Sequence, residues 1–165
     1  MDSKVSGMLK TVRLMPLTES AIAPFGAMIE APAKAGERNF YTQWLGSERT
    51  GMTPRLHVNH VTEVTLPSVI DTLERHPYSA QIFVPLNVSR YVVVVAPNIS
   101  DGSPDVENIH AFIAPGNAGI VYRRSVWHAG ASVLDRPGSF SVMMWRNDSA
   151  DDEEFVSLAQ PIQLV

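Results

Sequence analysis

Cysteine is absent from the 165-residue chain, which excludes disulfide bonds, a thiolate nucleophile and cysteine-ligated zinc. Long hydrophobic runs are missing too, because the apolar run VVVVA at 92–96 is far shorter than the roughly 18 residues of a membrane-spanning helix. Residues 1–10 are mixed and polar, without the apolar centre of a signal peptide. Together these absences predict a cytoplasmic protein that does not enter a membrane.

Positive charge is also scarce. The formal net charge is −4, and the basic residues cluster only at Arg123-Arg124. A protein that binds nucleic acid needs a basic surface to neutralise phosphates, so this composition argues against such a partner. We therefore expect the partner to be a small molecule.

Apolar residues make up 45% of the sequence, enough for the core of one domain spanning residues 1–165. Short strand-like runs recur between turns rich in glycine, proline, asparagine and aspartate. They lie at 11–15, 55–61, 80–86, 90–96, 109–114, 119–124, 131–135 and 139–145. This spacing predicts an all-β sandwich or closed barrel rather than alternating strands and helices.

Two short helices are predicted beside the strands. The first begins near Thr18 and ends at Pro24. The second runs from Ser68 to about Arg75, because Ser68 and Asp71 match a helix-capping pattern and apolar residues follow at helical spacing.

A group of polar residues at 75–81 marks the entry to one apolar strand. Pro77 disfavours a helical conformation for His76, so the predicted helix ends there. Gln81 and Phe83 are two residues apart and share one strand face. If that face points inward, the Gln81 amide needs a hydrogen-bonding partner, since leaving it unpaired costs about 1–3 kcal/mol. The alternative is a Gln81 that faces water or bonds a backbone carbonyl.

A second polar group lies in PGNAGIVYRRSVWHAG, residues 115–130. Glycines on both sides permit close backbone approach around a strand that ends at Trp127-His128. This pattern resembles the second motif of the cupins, double-stranded β-helix barrels with a small-molecule site at the barrel mouth. In cupins the histidine that matches His128 is often a metal ligand. The alternative is a structural His128 that bonds a backbone carbonyl beneath Trp127.

The segments LERHP, QIFVP, VVVVA, HAFIAPGNAG and YRRSVWH, in this order and spacing, resemble the ureidoglycolate lyase family. PLTESAIAPFGAMIE at 16–30 fits the opening of that family, and the resemblance covers most of residues 11–146. It implies a cupin-type jelly-roll barrel, a homodimer, and cleavage of (S)-ureidoglycolate to glyoxylate and urea in allantoin breakdown. Some members of the family are associated with a divalent metal such as Ni²⁺.

The implied reaction assigns roles to residues of both polar groups. Cleavage needs a general base and a general acid, and His128 and His76 are the candidates because imidazole titrates near neutral pH. Tyr122 is a further catalytic candidate, as a proton donor to the leaving nitrogen. The residues expected to bind the substrate are Arg75, Gln81, Arg123 and Trp127, with Arg146 as a competitor for the carboxylate.

The expected metal site is incomplete. The first cupin motif supplies His-x-His followed by Glu, whereas the matching region here offers His76 and Gln81. Strong transition-metal sites use several imidazoles or carboxylates, so we predict no essential metal. A weakly bound divalent metal such as Ni²⁺ would use His128, His110 and Gln81.

Several positions depart from the family pattern. Arg123, Ala129 and Trp145 stand where many members carry other residues, and the segment from Arg38 to Arg55, which includes Trp44, matches poorly. Two alternatives to ureidoglycolate cleavage therefore stay open. One is an enzyme acting on a related small ureido or hydroxy acid, and the other is a non-catalytic cupin that binds a metabolite.

Overall fold

Residues 9–47 and 49–165 are described by a computed structural model. Most of the predicted N-terminal polar stretch lies outside the described residues. The strands in chain order are β1 (Lys10–Val12), β2 (Met15–Pro16), β3 (Gly26–Ile29), β4 (Thr53–Val61), β5 (Ser68–Arg75), β6 (Gln81–Pro85), β7 (Arg90–Ala96), β8 (His110–Pro115), β9 (Gly119–Tyr122), β10 (Trp127–His128), β11 (Ser132–Leu134), β12 (Gly138–Arg146) and β13 (Glu154–Leu164). The helix α1 spans Glu19–Ile22, and two 3-10 helices span Thr42–Trp44 and Val106–Asn108.

The strands form two curved sheets that pack face to face. The eight-stranded sheet has the order β1-β13-β5-β10-β7-β8-β2, with β11 also paired to β7. The five-stranded sheet has the order β3-β9-β6-β12-β4. Neighbouring strands pair antiparallel except for β1 with β13 and β2 with β8. This architecture confirms the predicted all-β, cupin-type jelly-roll barrel.

The main core lies between the two sheets. The strands contribute to this core because every second side chain of a strand points to the same face. In β12, for example, Phe140, Val142 and Met144 are buried and the residues between them are only partly buried. The ring of Phe140 meets those of Phe83 and Tyr91 edge to face, with centroids 5.7 and 5.2 Å apart. Each such pair adds about 0.5–1.5 kcal/mol beyond the area it buries.

A second apolar cluster covers the outer face of the eight-stranded sheet. It contains Leu73, Val92, Val94 and Trp127, whereas Tyr91, Val93 and Val95, which alternate with the two valines along β7, belong to the main core. Both faces of β7 are therefore buried, which explains its uninterrupted run of valines.

The first predicted helix is confirmed, and the second is wrong. Thr18 caps α1, because its Oγ1 accepts a hydrogen bond from the Ala21 amide at 3.2 Å. Residues 68–75 form strand β5 instead of a helix. This segment pairs with β13 on one side and β10 on the other, so ladder hydrogen bonds override its capping pattern.

The acidic run at 148–155 contains an ordered loop. Asp152 is buried and accepts hydrogen bonds from the Asn147 and Asp148 amides at 2.9 and 2.7 Å. Strand β13 then begins at Glu154. The loop is thus organised around a carboxylate, which replaces the backbone partners that a regular strand would provide.

Across residues 9–47 and 49–165, we find no helix with the length and apolar character needed to cross a membrane.

Candidate active site

His76 and His128 meet inside the barrel, although they come from distant parts of the chain. Their ring centroids are 5.6 Å apart, and only 4% of His76 and 1% of His128 is exposed. β10 pairs with β5 so that His128 stands opposite Glu74, and His76 follows two residues later on the same face. The two polar groups that the sequence singled out therefore converge on one point. We call Glu74, His76, Gln81 and His128 the histidine cluster.

The hydrogen bonds of His128 define what its ring offers to the cluster. The Nδ1 atom lies 2.9 Å from the Val126 carbonyl oxygen, which can only accept, so Nδ1 carries a proton. The alternative of a structural His128 that bonds a backbone carbonyl therefore holds for the Nδ1 atom. The Nε2 atom faces Gln81 Oε1 at 2.8 Å and Glu74 Oε1 at 3.3 Å. Two oxygens point at one nitrogen, so the site favours a proton or a cation between them.

Glu74 was missed by the sequence analysis. Burial raises the pKa of its carboxyl group, but the hydrogen bond and charge of His128 outweigh burial, and the net pKa is lowered. The carboxylate is therefore ionised beside the two imidazoles. The wrong helix prediction hid it, because on a strand Glu74 and His76 share a face, whereas on a helix they would not.

His76 is uncharged, in contrast to the ionised carboxylate of Glu74. Burial, reinforced by the charge of His128, lowers the pKa of His76 to about 4. Its ring is therefore neutral near pH 7. The buried Nε2 atom has no hydrogen-bonding partner among the described residues. Such an atom is rare in a folded protein and often marks a place for a ligand.

Gln81 and Tyr122 complete the surroundings of His128. Gln81 is buried and bonded to His128, so the alternative that it faces water does not hold. The Tyr122 ring stacks on the His128 ring, with centroids 4.2 Å apart and planes 12° apart. Burial raises the pKa of the Tyr122 hydroxyl, so this group stays protonated. Stacking fixes the plane of the imidazole.

Arg146 contributes positive charge beside His76. Its charge is among the causes that lower the His76 pKa. The guanidinium is half-buried, with Nε 3.6 Å from Asp152 Oδ2 and a second nitrogen 3.1 Å from Glu153 Oε1. The ordered acidic loop therefore holds this arginine at the end of β12.

Arg75 and Trp127 lie on the opposite face of the eight-stranded sheet from the histidine cluster. Arg75 Nε bonds Glu154 at 2.6 Å, and the guanidinium covers the Trp127 ring at 4.5 Å. Both side chains also donate to the Gly102 carbonyl, at 2.7 and 2.9 Å. These contacts favour a structural role for both residues.

His110 and Arg123 also lie outside the histidine cluster. His110 is exposed, and its ring is 5.5 Å from Phe25 and stacked on Phe112 at 6.2 Å. Arg123 donates to the Ala23 carbonyl at 3.3 Å and lies over the Trp44 ring. The structure therefore does not bring His110 together with His128 and Gln81 as a ligand set.

A cavity of about 530 Å³ lies beside the cluster rather than over it. It is lined by residues 43–47, 78–80 and 123–124. None of the four cluster residues lines it, although Gln81 and Tyr122 follow and precede lining residues directly.

The cluster residues fit a divalent metal. One ligand atom from each of Glu74, His76 and His128 lies within 4.8 Å of the others, and the His76 Nε2 atom has no hydrogen-bonding partner within residues 9–47 and 49–165. Two imidazoles and a carboxylate suit Ni²⁺, Zn²⁺ or Fe²⁺. Glu74 thus takes the place that the sequence analysis gave to His110.

Comparison with known proteins gives a consistent result. The family model described as "Ureidoglycolate lyase" matches residues 9–165. The chain is 36% identical to the ureidoglycolate lyase of Burkholderia mallei, over 82% of both chains. It is 33% identical to that of Mesorhizobium japonicum, over 85% of this chain and 89% of the relative. It is 27% identical to that of Schizosaccharomyces pombe, over 94% of this chain and 95% of the relative.

Among solved structures, the chain is similar to RmlC from Streptococcus suis in complex with dTDP-D-xylose. The TM-score is 0.45 at 10% identity, covering 81% of this chain and 56% of that one. The match to the family model spans the whole described region, and it includes every residue of the histidine cluster. This chain therefore belongs to the ureidoglycolate lyase family.

Proposed function

We propose that the protein cleaves (S)-ureidoglycolate to glyoxylate and urea, and that the histidine cluster is the catalytic site. Family membership supports the reaction, and the convergence of His76 and His128 beside an ionised carboxylate supports the site. General acids and bases of this kind occur where burial and charge separate the pKa values of neighbouring groups.

The reaction needs two proton transfers and no nucleophile. The hydroxyl proton of the substrate leaves as its carbon–oxygen bond becomes the carbonyl of glyoxylate. The carbon–nitrogen bond breaks, and the departing nitrogen takes up a proton to become urea. A positioned acid or base contributes about 10²–10⁴-fold to the rate.

His76 is the general base in this proposal, and His128 is the general acid. The low pKa of His76 keeps its Nε2 lone pair free at neutral pH. The Val126 carbonyl orients the His128 ring, and Glu74 stabilises a proton on its Nε2 atom. The stacked Tyr122 ring keeps the imidazole plane fixed while that proton moves.

Gln81 and Arg146 bind the substrate in this proposal. A primary amide donates and accepts at once, so Gln81 can pair with the ureido group of the substrate. Arg146 supplies the guanidinium that binds the substrate carboxylate. It lies near enough to His76 for its positive charge to contribute to the lowered pKa of that histidine. Arg75 and Arg123 were the sequence-based choices. Arg75 is engaged with Glu154 and Gly102 on the other sheet face, and Arg123 bonds the Ala23 carbonyl outside the cluster.

A divalent metal held by Glu74, His76 and His128 would be an alternative to this acid–base assignment, because it would occupy the imidazole nitrogens that transfer the protons. When bound, it would supply Lewis-acid stabilisation of developing negative charge on oxygen. A weakly bound Ni²⁺ is consistent with this ligand set, and thermal-shift titration with Ni²⁺ and Zn²⁺ measures binding independently of turnover.

Glyoxylate release by the purified protein tests the proposed function. We expect activity in the wild type and a loss of at least about 10²-fold in His128→Asn, with the fold retained. His110→Asn is the matched control, because His110 is an exposed histidine outside the cluster. Absence of glyoxylate release by the wild type, or near-normal activity in His128→Asn, would refute the proposal.

We also propose a cytoplasmic homodimer that forms through the outer face of the five-stranded sheet. Two adjacent rows of this face are uncharged: Leu56, Met143 and Ile82 in one, and Val58, Ser141 and Val84 in the other. Leu56 is 72% exposed and Val58 61% exposed, both on the edge strand β4. Exposed apolar patches of this kind commonly mark interfaces.

Light scattering on the wild type and on Leu56→Lys tests the dimer. We expect a dimer that becomes monomeric in the variant. Val69→Lys on β5 is the control, because Val69 is also an exposed apolar residue but belongs to the other sheet. A monomeric wild type would remove the proposal.

A further inference from the structure

A tight turn joins strand β9 to strand β10, which carries His128. It runs from Arg123 to Val126, because the Val126 amide donates to the Arg123 carbonyl at 3.2 Å. Ser125 is the third residue of this turn and has a positive φ of 61°. In type II turns this position has a positive φ and is usually glycine or asparagine. A serine there is strained, and residues held in such conformations cluster at functional sites.

Ser125 holds the segment that contains His76. Its amide donates to the His76 carbonyl at 2.9 Å, and its hydroxyl donates to the Pro77 carbonyl at 3.3 Å. A glycine could not make the second of these bonds. His76 and Pro77 follow the last residue of β5, where the strand ladder has ended. The bonds from Ser125 therefore take the place of ladder hydrogen bonds for this segment.

The same turn also holds His128. The Val126 carbonyl oxygen, one residue after Ser125, lies 2.9 Å from His128 Nδ1 and orients the imidazole. One turn thus contacts both histidines, His76 through its backbone and His128 through its ring. A change in the turn would alter the relative placement of two rings whose centroids are 5.6 Å apart.

Asn98 supports the turn from the protein surface. Its side-chain nitrogen donates to the Ser125 carbonyl at 3.2 Å, and its side-chain oxygen accepts from Arg75 at 3.2 Å. The Arg75 guanidinium is itself held by Glu154 and by the Gly102 carbonyl. The amide, the hydroxyl and the carbonyl of Ser125 are therefore all hydrogen-bonded, which explains how the strained conformation persists.

We propose that Ser125 is a positioning residue that sets the relative placement of the two imidazoles of the histidine cluster. It acts through the His76 backbone and through the Val126 carbonyl that orients His128, rather than on the substrate. This role rests on the proposed acid–base reaction, in which both imidazoles transfer protons to or from one small molecule. Such a reaction is sensitive to geometry, since a displacement of about 1 Å can lower a rate by about 10²-fold.

Ser125→Val tests the proposal, because a β-branched residue strongly disfavours a positive φ. We expect kcat for glyoxylate release to fall by about tenfold, with KM within about twofold of wild type. The assay is run well below the unfolding transition, so that it measures the folded variant.

Asp135→Val is the matched control. Asp135 also has a positive φ, of 72°, and it bonds Arg90, at the opposite end of β7 from Val95, the strand partner of His128. Both valine variants should lower Tm by a few degrees, but Asp135→Val should keep kcat within about twofold of wild type.

Two further variants separate positioning from stability. Ser125→Gly accepts the positive φ and keeps the N–H group, so kcat should recover to within about threefold of wild type and Tm to within about 2 °C. Asn98→Ala removes the bond to the Ser125 carbonyl from an exposed position, so kcat should fall about threefold with little change in Tm. Asn108→Ala, which also removes an exposed asparagine, should leave kcat unchanged.

The imidazole ¹H–¹⁵N correlations of His76 and His128 give a readout that does not need turnover. Ser125→Val should shift both sets of resonances, and Asp135→Val should shift neither. If the wild type releases no glyoxylate, the proposed reaction fails, and the resonances alone then decide whether Ser125 positions the two rings.

Unchanged kcat in folded Ser125→Val, an equal loss of kcat in Asp135→Val, or histidine resonances that do not move in Ser125→Val would overturn the proposal. If Ser125→Val does not fold, Asn98→Ala decides the question, and wild-type kcat in that variant would overturn the proposal as well.

Discussion

Glu74 and His128 face each other across neighbouring antiparallel strands, with 3.3 Å between Glu74 Oε1 and His128 Nε2. The carboxylate stabilises a proton on the inward nitrogen of a ring whose other nitrogen is already committed to a backbone carbonyl. The proposed roles of His128 as acid and His76 as base depend on this geometry, because two oxygens face His128 Nε2 whereas His76 Nε2 has no hydrogen-bonding partner among the described residues.

Glu74→Gln is expected to lower turnover by about 10²-fold, because the amide keeps the shape but cannot stabilise the imidazolium. The change should fall mainly on kcat, since Glu74 acts through His128 rather than on the substrate. Steady-state glyoxylate release measures both constants.

Glu107→Gln is the control for the loss of one carboxylate, because Glu107 is exposed and distant from the cluster. Rescue of Glu74→Gln activity at lower pH would further support the assignment, since bulk protons would then replace the stabilising charge. Equal activity of Glu74→Gln and wild type would contradict it.

Gln81→Glu is expected to tighten metal binding by about tenfold or more. The substitution places a second carboxylate 2.8 Å from His128 Nε2, where the amide oxygen now lies, and extra negative charge favours a divalent cation. Isothermal titration with Ni²⁺ measures the affinity directly. The same substitution should raise KM, because a carboxylate cannot donate to the ureido oxygen. Unchanged Ni²⁺ affinity would show that Gln81 does not face the metal site.

The strands with clear alternation or continuous apolar character were predictable from the sequence. Phe140, Val142 and Met144 alternate with partly buried neighbours, and β7 is valine-rich because both its faces are buried. Turn residues also marked the ends of these strands. In such segments local pattern and tertiary position agree, so the fold class follows from the sequence alone.

β5 could not be predicted in the same way, because its local pattern and its tertiary position disagree. Ser68 and Asp71 imitate a helix cap, and only the two neighbouring strands turn the segment into a ladder. That single error moved Arg75 into the expected site and left Glu74 out. The meeting of His76 with His128 was predictable through the family resemblance, while the buried Asp152 has no sequence signal of its own.

Acid stability provides a further prediction. The hydrogen bonds from Arg90, and then from Ser89, lower the pKa of Asp135 to about 2. An unfolded aspartate titrates near 3.9, so the pairing stabilises the folded state above about pH 4 and is lost as the pH falls through about 2. Asp135→Asn should therefore lower Tm by about 2 °C at pH 7, and the difference should shrink steadily below pH 4.

Asn is the suitable replacement at this position, because Asp135 has a positive φ of 72° and asparagine tolerates that conformation. In the double variant with Arg90→Gln, removing Asp135 should cost no further stability. A Tm difference that stays constant from pH 7 to pH 3 would show that the charge is irrelevant.

Asp152→Ala is expected to destabilise the protein by about 2–4 kcal/mol and to lower activity as well. The buried carboxylate accepts the amides of Asn147 and Asp148 and lies 3.6 Å from the half-buried guanidinium of Arg146. Its removal leaves two backbone donors without this acceptor and leaves Arg146 with Glu153 as its remaining acidic partner. The loop should then loosen, and Arg146 should be held less firmly beside His76.

Urea unfolding gives the free energy of unfolding of the Asp152→Ala variant. Glyoxylate release, measured at urea concentrations below the unfolding transition, shows whether the folded variant has a higher KM. Asp151→Asn is the matched control, because Asp151 is a neighbouring but exposed carboxylate, and its loss should cost far less stability than the loss of Asp152. Equal stability of the Asp152 and Asp151 variants would mean that the loop does not depend on the buried carboxylate.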